Sequence, residues 1–192
     1  MLNIKDINND TCFEKLSKMQ DEYIEYISYI DNSSKSFTDK APLNFRWICF
    51  IKIFLPNSKI IHCTRNKMGN CWSIFKNTFD GGVNFGYNLK FLAKYHNIYS
   101  DLMNFYNKNF PNDIYNISYE NLVSNQNEEI KKLIDFCELN WDIKCLEFYK
   151  NKKSIKTVSF AQARKPIYNS SIKSWENYSS YLDVLKENLN NI

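Results

Sequence analysis

The sequence predicts an α/β fold, a parallel sheet flanked by helices. Three observations carry this expectation. Short apolar runs of strand length alternate along the chain with longer segments of helical period. Apolar residues make up 44% of the 192 and aromatics 16%, enough for one domain with a real core. The chain shows neither an internal repeat nor a linker, so a single domain over residues 1–192 is expected.

The elements follow in order. "TCFEKLSKMQDEYIEYISYI" reads as a helix, with Phe13, Leu16, Met19, Tyr23, Ile27 and Ile30 near one face. Thr11 and Glu14 fit a capping box at its start. "SSKSFTDKAP" is expected as a short strand running into a turn, because Pro42 moves Ala41 away from helical geometry. "LNFRWICFIKIFL" is apolar enough for a buried helix, with Arg46 and Lys52 on its polar side. "NSKIIHC" is the next strand, "GNCWSIFKNTF" starts a helix, and "DGGVNFG" is a glycine-rich turn. "NLKFLAKYHNIYSDLMNFYNKNF" is a long amphipathic helix stopped by Pro111, and "DIYNISYE" alternates like a strand. "NEEIKKLIDFCEL" is a helix with acid at its start, which suits the helix dipole, and "WDIKCLEFYKN" is another. "SFAQARKPIYNSS" is irregular around Pro166, and "SIKSWENY" and "SYLDVLKENL" close the chain as helices.

Composition narrows the function. Lys plus Arg is 25 and Asp plus Glu is 21, a net charge of +4. That is too mild for nucleic-acid binding by charge alone, and no stacking motif accompanies it; it suits one local anion site. No stretch reaches the roughly 18 unbroken apolar residues of a membrane helix, and "MLNIKDINND" has no signal-peptide core. A cytoplasmic protein without a membrane partner is expected. The six cysteines form no C-x-x-C pair and sit mostly among apolar neighbours, as buried free thiols do in a reducing compartment. Two histidines, neither spaced with cysteines, argue against a zinc site, and no metal is expected.

The stretch "KIIHCTRNKMGNCWSIF" stands apart. An apolar strand ends at Arg65, a polar, glycine-containing turn follows, and Ser73 lies at the start of the next apolar pattern. In open α/β sheets, ligands bind at the carboxyl ends of strands, where a helix N-terminus offers backbone N–H groups. The Arg65 guanidinium matches phosphate or sulfate bidentately, and Ser73 adds a hydroxyl. The spacing alone also fits a surface arginine and a helix-start serine without a ligand.

The neighbours sharpen it. "TDKAPLNF" lies upstream, "ISYENLV" downstream and "SFAQARKPIYNSSIKSW" further on. Together, from about Phe37 to Leu189, they resemble sulfotransferases that use 3′-phosphoadenosine-5′-phosphosulfate (PAPS). The nearest branch is that of the bacterial TPR-linked enzymes related to tyrosylprotein sulfotransferases. The first helix matches only loosely. The resemblance implies a fold like that of P-loop nucleotide enzymes, and transfer of a sulfuryl group to a hydroxyl of a tyrosine or a carbohydrate. It implies that Arg65 and Ser73 hold the 3′-phosphate, and that Lys40 sits beside the 5′-phosphosulfate as the catalytic cation. Tyr119 then lies near the adenosine, and Ser159 and Lys173 close over the phosphates. The resemblance implies that no metal is needed. A general base must accept the acceptor's proton, and the sequence does not identify it.

The chain also departs from the pattern. Family members begin with a strand and a loop of the type G-x-P-R-S-G-T-T around the 5′-phosphosulfate. None of Gly69, Gly81, Gly82 and Gly86 follows a strand and opens a helix in that way. The expectation is an N-terminally truncated member lacking that loop, its arginine and the glutamate base of the tyrosylprotein branch. Asn66 replaces the usual acid of the R-D-P-R turn and Met68 its second arginine, with Lys67 adjacent. Ser174 stands before Trp175 where a basic residue is common, and Lys173 is one position earlier. Three alternatives stay open: an enzyme half whose partner chain completes the sheet, a truncated member, or a non-catalytic member that binds nucleotide or a partner.

Remaining polar residues read as structural. His62 is expected to pack or to make a structural hydrogen bond, and His96 to lie on a helix face. Glu120 is expected to cap or to pair with a nearby cation. The basic run Tyr149 to Lys156 is expected as a solvated face.

Overall fold

A computed structural model describes residues 9–34, 36–79, 81–151 and 164–190. Two compact units emerge, Met1–Ser58 and Lys59–Ile192.

In the first unit, helix α1 (Asn9–Ile30) is followed by a 3-10 helix (Pro42–Trp47) that runs into α2 (Ile48–Phe54). The α1 helix is described from Asn9, so Thr11 lies inside it and not at its cap. Residues 36–41 form no strand, and Asp31 closes a turn on the Ser33 and Ser34 backbone N–H groups. Ala41 is extended, as its proline neighbour requires, and Pro42 opens the 3-10 helix. Aromatic contacts hold the unit together: Tyr23 meets Phe37 at 6.0 Å and Phe54 at 5.8 Å, and Phe54 stacks on Phe50. The expected buried helix at 43–55 is not buried. Ile48 is 3% exposed, but Trp47 is 60% and Ile53 62% exposed.

The second unit has the expected alternation. Its elements are β1 (Ile60–Thr64), α3 (Lys67–Phe75), a 3-10 turn (Asn84–Tyr87), α4 (Leu89–Asn109), β2 (Ile114–Ser118), α5 (Tyr119–Ser124) and α6 (Gln126–Phe136). Two 3-10 helices follow, Ile143–Lys150 and Glu176–Tyr181, and α7 (Asp183–Asn188) comes after them. The first of these replaces the helix expected at 141–151 and is kinked at Glu147. Strands β1 and β2 pair in parallel, Ile60 with Ile114 through Thr64 with Ser118. A parallel pair needs a long crossover, which α3 and α4 supply. Gly81 and Gly82 turn the chain between them with positive φ.

The core lies between α3, α4 and α7: Met68, Cys71, Leu92, Ala93, Leu182, Leu185 and Leu189, with Trp72 and Trp175 against it. Burial drives the Cys71 thiol up to about 12, so it stays protonated and inert. At the other end of β1, Lys59 donates to the Phe136 carbonyl and pairs with Glu138 at 2.5 Å. Glu138 takes the left-handed conformation that terminates α6.

Candidate functional site

Strand β1 delivers Arg65 to its carboxyl end, and β2, hydrogen-bonded beside it, delivers Tyr119 to the same end. The two meet: the Arg65 guanidinium carbon lies 4.9 Å from the centre of the Tyr119 ring. Arg65 also donates from Nη2 to the Ser171 carbonyl, across 106 residues of sequence. Tyr119 shares a 2.7 Å hydrogen bond with the Ser171 hydroxyl, and the Ser174 hydroxyl donates to the Ser171 carbonyl. The late segment is thus tied to both strand ends.

Helix α3 provides the floor. A Cβ at Gly69 would stand 3.3 Å from Arg65 Nε and 3.5 Å from the Ile172 carbonyl. The bare glycine therefore lets the guanidinium lie close to the helix. Ser73 is four residues further on, hence on the same helix face. Sequence reasoning placed Ser73 one turn into a helix starting at Gly69. The helix instead starts at Lys67 with Asn66 as its cap, so Ser73 stands near the helix's carboxyl end. The signal missed was Asn66 itself, whose side chain accepts from the Gly69 N–H at 3.0 Å.

That helix start is already served by the protein's own anion. Glu120 accepts from the Asn66 N–H at 3.0 Å and from the Ser118 hydroxyl at 3.0 Å. Burial raises the Glu120 carboxyl, but those hydrogen bonds and the Arg65 charge outweigh it and hold it below its ordinary value. Glu120 thus pairs with the cationic end of α3, as its sequence position suggested, and orders the turn after Arg65. Arg65 Nε is buried and makes no hydrogen bond among the described residues, although an arginine carries five N–H donors. Gly69 itself is buried, with the Trp175 side chain also 3.5 Å from where its Cβ would stand. A planar cation with an unbonded donor and a stacked tyrosine has the donor chemistry for an oxyanion.

The other candidates fall as follows. Lys173 is exposed and lies two residues after Ser171 in the segment that meets Arg65. Lys40 belongs to the first unit and is exposed; its neighbour Asp39 accepts from the Tyr23 hydroxyl at 3.2 Å. Ser159, with most of the basic run to Lys156, lies outside the described residues. Ser171 and Gly69 are the residues that sequence reasoning did not single out. The serine pair in "YNSS" was the available signal for the first.

Both histidines are structural partners of one tyrosine. His62 Nδ1 meets Asn116 Oδ1 at 2.6 Å and Nε2 meets the Tyr99 hydroxyl at 2.5 Å. His96, 8% exposed, stands edge-on to the Tyr99 ring at 5.4 Å. Burial pushes both imidazoles below their ordinary value; the Asn116 hydrogen bond opposes this at His62, and the Lys67 charge adds to it at His96. Among the described residues, no group of three or more His, Cys, Asp or Glu gathers as metal ligands, and no helix is long and apolar enough to cross a membrane.

The model of the sulfotransferase family matches residues 4–143. This match includes the first helix, which residue motifs alone matched only loosely, and ends before the late segment. A protein of Aquifex aeolicus (strain VF5), described as an uncharacterized protein, is 34% identical over 168 residues. The aligned part is 86% of this chain but 22% of that relative, so the chain spans under a quarter of its length.

Proposed function

The chain belongs to the sulfotransferase family, and from that premise we propose that it transfers a sulfuryl group from PAPS to a hydroxyl acceptor, a tyrosine or a carbohydrate. We read residues 1–192 as one sulfotransferase-like domain. Sulfuryl transfer parallels phosphoryl transfer, an in-line displacement in which positioning and aimed cations do most of the work. The acceptor oxygen bonds to sulfur as the bond to the phosphate oxygen breaks, and adenosine 3′,5′-bisphosphate leaves.

In this reading Arg65 and Ser73 hold the 3′-phosphate beside α3, where Gly69 lets the guanidinium lie close to the helix. Tyr119 orients Arg65 by stacking and flanks the adenosine. Lys173, carried by the segment tied to Ser171, closes over the phosphates, and Ser159 is assigned the same task. Lys40 neutralises charge on the leaving phosphate oxygen. The observation that carries the reading is the buried, unpaired Nε of Arg65 at the carboxyl end of β1.

Calorimetry tests it with adenosine 3′,5′-bisphosphate against adenosine 5′-phosphate. A charged hydrogen bond is worth about 1.5–3 kcal/mol, so the bisphosphate should bind about 10–100-fold tighter. Arg65→Ala should erase that preference, and Ser73→Ala should reduce it. Equal binding of both nucleotides, or binding of neither, would sink the phosphate site.

A second reading draws support from β1. Among the described residues β1 and β2 form a two-stranded sheet, which leaves each strand one unpaired edge, and on one face of β1 Ile61 is 40% exposed and Cys63 is exposed. This favours a second chain that adds a strand and completes the sheet, leaving this chain as an enzyme half or a partner-binding member. Sedimentation distinguishes them: a monomer that turns over PAPS by itself removes the need for a completing chain.

A further inference from the structure

Helix α4 has two faces of opposite use. Leu92, Ala93, His96, Met103 and Tyr106 are buried on one side. Roughly 150° round the helix lie Phe91, Ile98 and Phe105, spaced by seven residues. They are 58%, 63% and 53% exposed. Three large apolar side chains in a line of about 21 Å form a seam, the pattern of a helix that packs along another helix. Leu102, half-buried, lies beside the seam between Ile98 and Phe105.

The charges beside the seam say what fits it. Lys94, Asp101 and Lys108 repeat with the same seven-residue spacing on one flank and are exposed. No ion pair joins Lys94 or Asp101 to another described residue. When two helices pair antiparallel, equivalent flanks face each other. A two-fold axis near Ile98 then sets Phe91 against Phe105 of the other copy and Ile98 against its own equivalent. It also sets Lys94 against Asp101, twice. A parallel pairing of the same helices brings no such opposite charges together.

We propose that this face of α4 binds a second copy of the chain, antiparallel and centred on Ile98. The seam is small. Phe91 and Phe105 expose roughly 200 Å² between them, and a lone helix pair falls short of the ~1,600 Å² of a standard stable interface. The dimer is therefore weak and concentration-dependent.

Sedimentation of the full chain from about 5 to 500 μM tests this, with circular dichroism to confirm that each variant is folded. The wild type should shift from monomer toward dimer as concentration rises. Ile98→Lys, which places like charges across the axis, should stay monomeric throughout. Lys94→Asp and Asp101→Lys should each weaken association at least threefold, and the double swap should restore it. A wild type that is monomeric at 500 μM overturns the proposal and leaves the face to another partner. A dimer indifferent to Ile98→Lys overturns the choice of face. A double swap no better than the single ones overturns the antiparallel register.

Discussion

Helices α1 and α4 have 22 and 21 residues and both carry an amphipathic pattern, yet they end in different surroundings. Five α4 residues are buried, and two of them, Leu92 and Ala93, pack in the core with α3 and α7. Along α1, Leu16, Tyr23 and Ile27 are only half-buried, while Phe13 and Tyr29 stand 67% and 90% exposed. Periodicity tells which face of a helix is apolar. It does not tell how much of that face a partner covers, because coverage is set by elements distant in sequence. The second unit supplies such elements to α4; the first supplies α1 with two aromatic contacts through Tyr23.

The contrast can be broken most sharply by truncation. Leu92, 1% exposed, should cost about 2–5 kcal/mol as Leu92→Ala, whereas Leu16→Ala should cost under ~1 kcal/mol. Urea unfolding followed by circular dichroism measures both, and comparable losses would show that α1 is as well covered as α4.

Acid should separate the units next. Both histidines of the chain, His62 and His96, lie in the second unit. Each folded imidazole sits below its ordinary value of 6.5, so below that pH the unfolded chain binds more protons. Stability from these residues is present above pH 6.5 and is lost as the pH falls through their lowered folded values. Between pH 7.5 and 5.5 the denaturation midpoint of the second unit should fall while that of the first holds. A variant keeping only Trp47 reports the first unit, and one keeping only Trp175 the second; parallel pH responses would refute the assignment.

A smaller effect is expected at the floor of the candidate site. Gly69→Ala puts a methyl group 3.3 Å from Arg65 Nε, and Arg65 is fastened by Ser171 and Tyr119. The variant should lose roughly tenfold in affinity for adenosine 3′,5′-bisphosphate, about 1.4 kcal/mol, with its helical circular dichroism unchanged. Unchanged affinity would mean that the guanidinium does not need the bare glycine. The smallest effect belongs to the first unit. Tyr23→Phe removes the hydrogen bond to Asp39 and should cost about 0.5 kcal/mol, measured by the same urea unfolding, because the pair is solvated.

Much of the second unit was legible. Strands β1 and β2 and helices α4 and α6 follow from local pattern, and the rule that ligands bind at the carboxyl ends of strands singles out Arg65; Tyr119 is singled out by the family resemblance alone, and its stacking on Arg65 by neither. Three features were not. The α3 start was misplaced because Asn66 was read as a variant of a family turn and not as a cap. The segment "SSKSFTDKAP" is expected as a short strand but forms none among its described residues, because pairing is a property of the sheet and not of the segment. Ser171 reaches Arg65 across 106 residues, a contact that no window of sequence displays.

The parallel pairing of β1 with β2 also has a consequence for synthesis. His62 and its register partner Asn116 are 54 residues apart. At translation speeds of about 5–20 residues per second, β1 leaves the ribosome roughly 3–10 s before β2 exists to pair with it. Through that interval the nascent strand presents Ile60, Ile61 and Cys63 with no native neighbour. A chaperone that engages extended apolar segments has its clearest opening there, and yield should respond more to synthesis rate than to mutations in α6, which is made after the pair can close.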